Sequence, residues 1–174
     1  MKSKIIAIAA ILAATAVALV PTPARSHQGH QGHHGPHACS TKHRSNMEDF
    51  VDLYIDIYNS HDLSRFSEVM QPDAVNVTPF GPMTVAELAA AMQGFYAAFP
   101  DLTYQAERIF VDGDELIIEY SYTGTHLGEL MGIPATGTVV HGRGLEVHTI
   151  EDGLIADTQN YSDVFGLLAQ LGAL

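Results

Sequence analysis

The stretch GTHLGELMGIPATG, residues 124–137, sets Gly124, Gly128, Gly132 and Gly137 between two segments whose apolar residues alternate as strands do. Glycine at that density marks a backbone turning too tightly for side chains, so the stretch reads as a crossover between strands and not as a regular element. It also carries His126 and Glu129, polar groups that a plain connector does not require. On its N-terminal side, residues 102–111 read as a strand, Asp112-Gly113-Asp114 as a tight hairpin and residues 115–123 as the returning strand. On its C-terminal side, residues 138–150 make a long strand, Glu151-Asp152-Gly153 a turn and residues 154–163 the strand back.

Upstream the period is helical. Ser45-Asn46-Met47-Glu48 has the form of a capping box, and Phe50, Leu53, Tyr54, Ile57 and Tyr58 follow at the spacing of one helix face. Asp62 can cap a short helix over residues 63–70 that buries Phe66 and Val69, with Gln71-Pro72-Asp73 as the next turn. Residues 75–80 read as a short strand ended by Gly81-Pro82. A second capping box, Thr84-Val85-Ala86-Glu87, opens a helix buried along Leu88, Met92, Phe95 and Phe99, which Pro100 stops. Helices followed by a meander of long strands define an α+β fold.

The N-terminus has the composition of an export leader. Lys2 and Lys4 precede an apolar run over residues 5–20, and Ala24-Arg25-Ser26 supplies the small residues of a cleavage site, which places residues 1–26 as signal peptide and the mature chain in the periplasm or outside the cell. The run is shorter than a membrane span and ends at Pro21, so no stable insertion is expected once the leader is gone. Residues 27–44 hold His27, His30, His33, His34, His37 and His43 among Gly, Gln and Pro, which cannot build a core and predict a disordered His-rich arm. With Cys39 nearby, the imidazoles of that arm are also candidate ligands for Cu, Ni or Zn; a low-complexity linker is the plainer alternative. Cys39 is the sole cysteine, so no internal disulfide forms, and residues 45–174 must be held together by packing. A formal net charge of −12 argues against nucleic acid as a partner.

The long strand offers the chemistry. One face presents Val140, Gly142, Gly144, Glu146, His148 and Ile150: two glycines that leave space, then a carboxylate and an imidazole two residues apart. The last strand sets Asp157, Gln159, Tyr161 and Asp163 on one face, and Asp163 approaches His148 if the two strands pair through the turn without a bulge. Asp163 equally suits the cap of a terminal helical turn over the residues that follow it. Tyr54, Tyr58 and Tyr161 are candidate cavity residues, or core. No phosphate loop, HExxH, CxxC or GxSxG is present, which argues against nucleotide use and nucleophilic catalysis.

GTHxGExxGIPxTG, followed by DGxI, an Asp and LLxQLG, resembles the SnoaL-like polyketide cyclases, which have the nuclear transport factor 2-like cone fold. The resemblance spans residues 46–173 and implies a cone-shaped, curved antiparallel sheet wrapped around the N-terminal helices, open at one end to a small apolar, partly oxygenated ligand. It implies cofactor-free aldol cyclase, isomerase or dehydratase chemistry, with Asp163 as general acid and base and a His on the neighbouring strand, His148, supporting it. Read on their own places in the chain, His126, Glu146, Tyr54, Tyr58, Gln159 and Tyr161 are candidates against the substrate, Glu146 also as a general base or as part of a solvated strand face. Sheets of this kind pair across their convex faces, so a homodimer is expected. The alternative is a noncatalytic ligand- or metal-binding protein whose working part is the arm. Two departures stand out: Gln159 occupies a place where relatives carry Trp, and Ala135 replaces Pro within GIPxTG.

Overall fold

The computed structural model describes residues 41–174. The leader, most of the arm and the metal-ligand candidates His27, His30, His33, His34, His37 and Cys39 lie outside the described residues.

Helix α1 (Thr41–Ser60) starts upstream of the expected capping box. No Gly or Pro separates Thr41 from Ser45, so nothing stops the helix from propagating back past that cap. Its buried stripe is Val51, Tyr54, Ile57 and Tyr58. A 3₁₀ turn (Leu63–Glu68) follows, capped as expected by Asp62, whose Oδ1 accepts from Ser64 N at 3.2 Å. Arg65 ties this turn back to α1 through Asp56 at 2.7 Å.

Strand β1 (Met70–Thr78) contains Gln71-Pro72-Asp73, which is therefore not a turn. The ladder with its neighbour shifts register between Met70 and Val75, and at such an irregularity the missing N–H of Pro72 costs no ladder bond. Gly81-Pro82 likewise opens a strand instead of closing one: β2 (Gly81–Thr84) folds back on β1, pairing Thr78 with Gly81 and Val75 with Thr84. Helix α2 (Val85–Ala98) carries the capping box that the sequence indicates, with Glu87 N donating to Thr84 Oγ1 at 3.3 Å and Thr84 N to Glu87 Oε2 at 2.8 Å.

Four long strands follow, β3 (Thr103–Asp112), β4 (Glu115–Thr125), β5 (Val139–Glu151) and β6 (Leu154–Ser162), and helix α3 (Val164–Gln170) closes the chain. The sheet has the order β2-β1-β6-β5-β4-β3; it is curved and does not close. The α+β cone is as expected, but the sheet is mixed, because β1 runs parallel to β6. Residues 124–137 are not a crossover either. β4 and β5 are direct antiparallel neighbours, from Thr125↔Val139 onward, and the glycine-rich stretch is an excursion from the end of their hairpin. Leu127 N and Gly128 N donate to Ala98 O at 2.9 and 3.0 Å, which pins the excursion to the C-terminal end of α2. A Cβ at Gly128 would collide with Ala97 O, so that approach requires glycine. The core lies between α1, α2 and the inner face of the sheet, with Phe66, Phe99, Leu102, Leu116, Ile118 and Ile155 fully buried.

Candidate active site

The inner face of β5 carries the residues that alternation predicts, Val140, Gly142, Gly144, Glu146 and His148. The two glycines do not leave empty space. Tyr122 and Tyr120, their partners on β4, lean across and lie on them, so that a Cβ at either position would overlap a phenol ring.

On β6 the inward face is the reverse of the expected one. Thr149 pairs with Asp157 but Ile150 pairs with Ile155, so Ala156 is an extra residue that switches the parity of the strand. Thr158, Asn160 and Ser162 therefore oppose His148, Glu146 and Gly144. Gln159 is placed on the other face, and Tyr161 is 62 % exposed there. Asp163 is exposed and caps α3, its Oδ1 accepting from Gly166 N at 2.8 Å. The structure does not bring Asp163 to His148; the pairing anticipated for a strand without a bulge is removed by the bulge.

His148 is completely buried, edge-on to the Tyr54 ring at 5.2 Å, with Nδ1 3.0 Å from Thr158 Oγ1. Its Nε2 lies 3.6 Å from Glu146 Oε2, a contact of ion-pair length that is too long for a hydrogen bond. His126 is also fully buried, but against Phe99, with Nδ1 accepting from Thr136 N at 3.3 Å. It closes the base of the glycine-rich excursion and does not reach the cavity.

Glu146 is the centre of a directed network. Tyr54 Oη donates to Oε2 at 2.9 Å and Asn160 Nδ2 donates to Oε1 at 2.8 Å. A phenol has one proton, and that of Tyr54 is committed to the carboxylate, so Tyr58 Oη donates to Tyr54 across 3.2 Å. The second amide proton of Asn160 goes to Tyr120 Oη at 3.1 Å, while its Oδ1 accepts from Ser162 Oγ at 2.5 Å. Tyr120 in turn donates to Ser162 Oγ at 2.6 Å, which closes the ring and fixes the amide with its nitrogen toward Glu146. Burial pushes the Glu146 carboxyl up, but the neighbouring His148, then the hydrogen bonds from Asn160 and Tyr54, outweigh it, and the net direction is down. Burial and the Glu146 charge hold Tyr54 and Tyr58 far above the ordinary phenol value, so both stay protonated donors.

This network forms the floor of a cavity of about 490 Å³. Tyr54, Tyr58, Tyr120, Glu146, Asn160 and Ser162 line the bottom, and Leu88, Met92, Phe95, Ile118, Leu130 and Leu167 the walls. Phe80 and Met131, 60 % and 53 % exposed, also line it and reach solvent. Of the residues anticipated from sequence, Tyr54, Tyr58 and Glu146 line this cavity and His148 backs it; His126, Gln159, Tyr161 and Asp163 do not. Asn160, Ser162 and the β4 tyrosines escaped notice: the first two are hidden by the bulge at Ala156, while Tyr120 and Tyr122 continue the alternation of Leu116 and Ile118 and were available to a reading of β4. Among the described residues no cluster of three His, Cys, Asp or Glu side chains could hold a metal ion.

Residues 48–171 match the family described as SnoaL-like polyketide cyclase. The chain belongs to that family. The SnoaL-like relatives include the aklanonic acid methyl ester cyclase DnrD of Streptomyces peucetius, 29 % identical over 136 residues, covering 74 % of this chain and 92 % of the relative. The corresponding cyclase DauD of Streptomyces sp. strain C5 is 30 % identical over 132 residues, covering 71 % of this chain and 80 % of its own. Among solved structures, TsrD of Streptomyces laurentii superposes with a TM-score of 0.69 at 26 % identity, covering 75 % of this chain and 98 % of that one. IdmH of Streptomyces antibioticus gives 0.64 at 30 %, covering 72 % and 97 %. The fold is the nuclear transport factor 2-like fold of SnoaL-like cyclases, a family that works without a cofactor on small molecules.

Proposed function

We propose that this chain is a cofactor-free acid/base enzyme that closes a ring in, or isomerises or dehydrates, a small apolar ketone, with Glu146 as the base. The observation that supports this is a buried carboxylate whose proton affinity is lowered by its neighbours, in a cavity lined in large part by apolar side chains. A carboxylate whose affinity for protons has been lowered is a weak base, so it suits carbon acids flanked by two carbonyls. In the aldol case Glu146 takes the proton from that carbon, the freed electron pair attacks a carbonyl carbon of the same molecule, and the C=O π pair moves to oxygen. Oxygen then receives the proton back from the Glu146 carboxylic acid, and the product is an isomer of the substrate. Asn160 and Tyr54 fix the carboxylate oxygen atoms, and the His148 ring packs behind them, 3.6 Å from Oε2.

The test uses an aryl 1,3-diketone in deuterium oxide, followed by NMR. Wild-type protein should accelerate deuterium entry at the central carbon, and Glu146→Gln should lose about 10²- to 10⁴-fold of that rate; equal rates in the two proteins would remove Glu146 from the mechanism. We further propose export, with cleavage before His27 and residence in the periplasm or outside the cell, which the N-terminal sequence of the mature protein reports; a mature chain that still begins at Met1 would exclude it.

A further inference from the structure

Every polar group on the floor is committed to a neighbour, whereas two phenols on the adjoining wall are not. Tyr104 on β3 and Tyr122 on β4 are direct cross-strand partners, with ring centroids 5.7 Å apart, and both line the cavity. Neither hydroxyl bonds to any described residue, although Tyr54, Tyr58, Tyr96 and Tyr120 are all engaged. The Tyr104 ring stands 5.3 Å from that of Tyr58, so the pair lies beyond Tyr58 and Tyr54 as seen from Glu146. Two cavity-lining phenols with no protein acceptor are available to donate to a ligand oxygen.

We propose that Tyr104 and Tyr122 form a clamp that donates hydrogen bonds to one carbonyl oxygen of the ligand, across the hydrocarbon frame from the carbon that meets Glu146. The clamp rests on the cavity being the ligand site, as the proposed function has it, and adds a substrate class: ketones with a second oxygen remote from the acidic carbon. Burial holds Tyr104 well above the ordinary phenol value, and burial with the Asp163 charge pushes Tyr122 up to about 12, so both groups remain donors. A carbonyl acceptor gains from two such donors, and an alkyl group of equal size gains nothing.

The test measures binding of 2-acetylnaphthalene and 2-ethylnaphthalene, together with the infrared C=O stretch of the bound ketone. Tyr104→Phe and Tyr122→Phe should each weaken the ketone by about 3- to 10-fold, leave the hydrocarbon unchanged, and return the C=O stretch toward its value in an apolar solvent. Neither hydroxyl has a protein partner, so both variants should fold with undiminished melting temperature. Glu146→Gln should keep the ketone selectivity, so that failure of the base in the exchange assay and failure of the clamp are read separately. Unchanged ketone affinity and C=O stretch in the double variant, or equal losses for ketone and hydrocarbon, would overturn the clamp; a wild-type protein that binds neither probe would overturn the clamp and the cavity site together.

Discussion

At the scale of single residues, the account turns on the sign of one competition. Burial raises the proton affinity of Glu146; the neighbouring His148, then the hydrogen bonds from Asn160 and Tyr54, lower it by more. Its folded-state pKa is therefore depressed, and the stability it contributes is present above the ordinary carboxylate value and lost as pH falls through the folded value. Catalytic exchange should accordingly be flat from neutrality down to pH 4.5 and fall only below it, as a pH–rate profile would report. His148→Gln removes the largest of the influences that oppose burial, so the acid limb should move upward; an unmoved limb would show that the imidazole, 3.6 Å away, does not set the charge. Tyr54→Phe deprives the buried carboxylate of one donor and should cost about 1–3 kcal/mol in urea unfolding, in contrast to the neutral Tyr104→Phe. Glu146 and His148 were legible as an inward pair because β5 alternates cleanly along its length. Asn160 was not, because its direction depends on one extra residue, Ala156, whose effect on pairing no local pattern records.

At the scale of elements, the hairpins and the α2 cap follow from local chemistry and were readable: Asp112-Gly113-Asp114 between alternating runs, and Thr84 with Glu87 three residues on. Thr84→Ala should lower stability by about 1 kcal/mol in urea unfolding, with α2 the element affected. What local chemistry does not encode is which strands become neighbours. β1 reads as an isolated short strand in sequence, and its parallel seat beside β6 appears only when the whole sheet forms. Its Pro72, a turn signal by composition, is accommodated in the strand because the register breaks there. Gly144 illustrates the same limit. A glycine opposite a tyrosine can mean open space or a place for the ring, and here the Tyr120 ring lies on it, in position to bond Asn160 and Ser162. Gly144→Ala should therefore displace Tyr120 and cost about 1–3 kcal/mol, measured by denaturant unfolding, whereas a merely open wall would accept the methyl group.

For the whole molecule, the division of labour is between polar side chains from the sheet and α1, which gather around Glu146, and apolar side chains, mostly from α2, α3 and the glycine-rich excursion, which line much of the rest of the cavity. Phe80 and Met131, exposed members of the lining, mark where the cavity meets solvent. The core and cavity residues named above all lie within residues 41–174, and a chain lacking residues 1–40 should keep its exchange rate. Titrating Cu, Ni and Zn against both chains then isolates what the histidines of residues 27–44 contribute; equal binding would leave the metal role without support. The family and cone were legible because GTHLGELMGIPATG and the C-terminal LLAQLG are long, specific strings. The choice between carboxylates is less legible: the resemblance points to Asp163, which caps α3, whereas the alternation of β5 points to Glu146. The decisive comparison is therefore the rate of deuterium entry into an aryl 1,3-diketone measured side by side for wild type, Glu146→Gln and Asp163→Asn. The account predicts that the first substitution removes the acceleration and the second leaves it within about twofold; loss of exchange in Asp163→Asn with full activity in Glu146→Gln would contradict it.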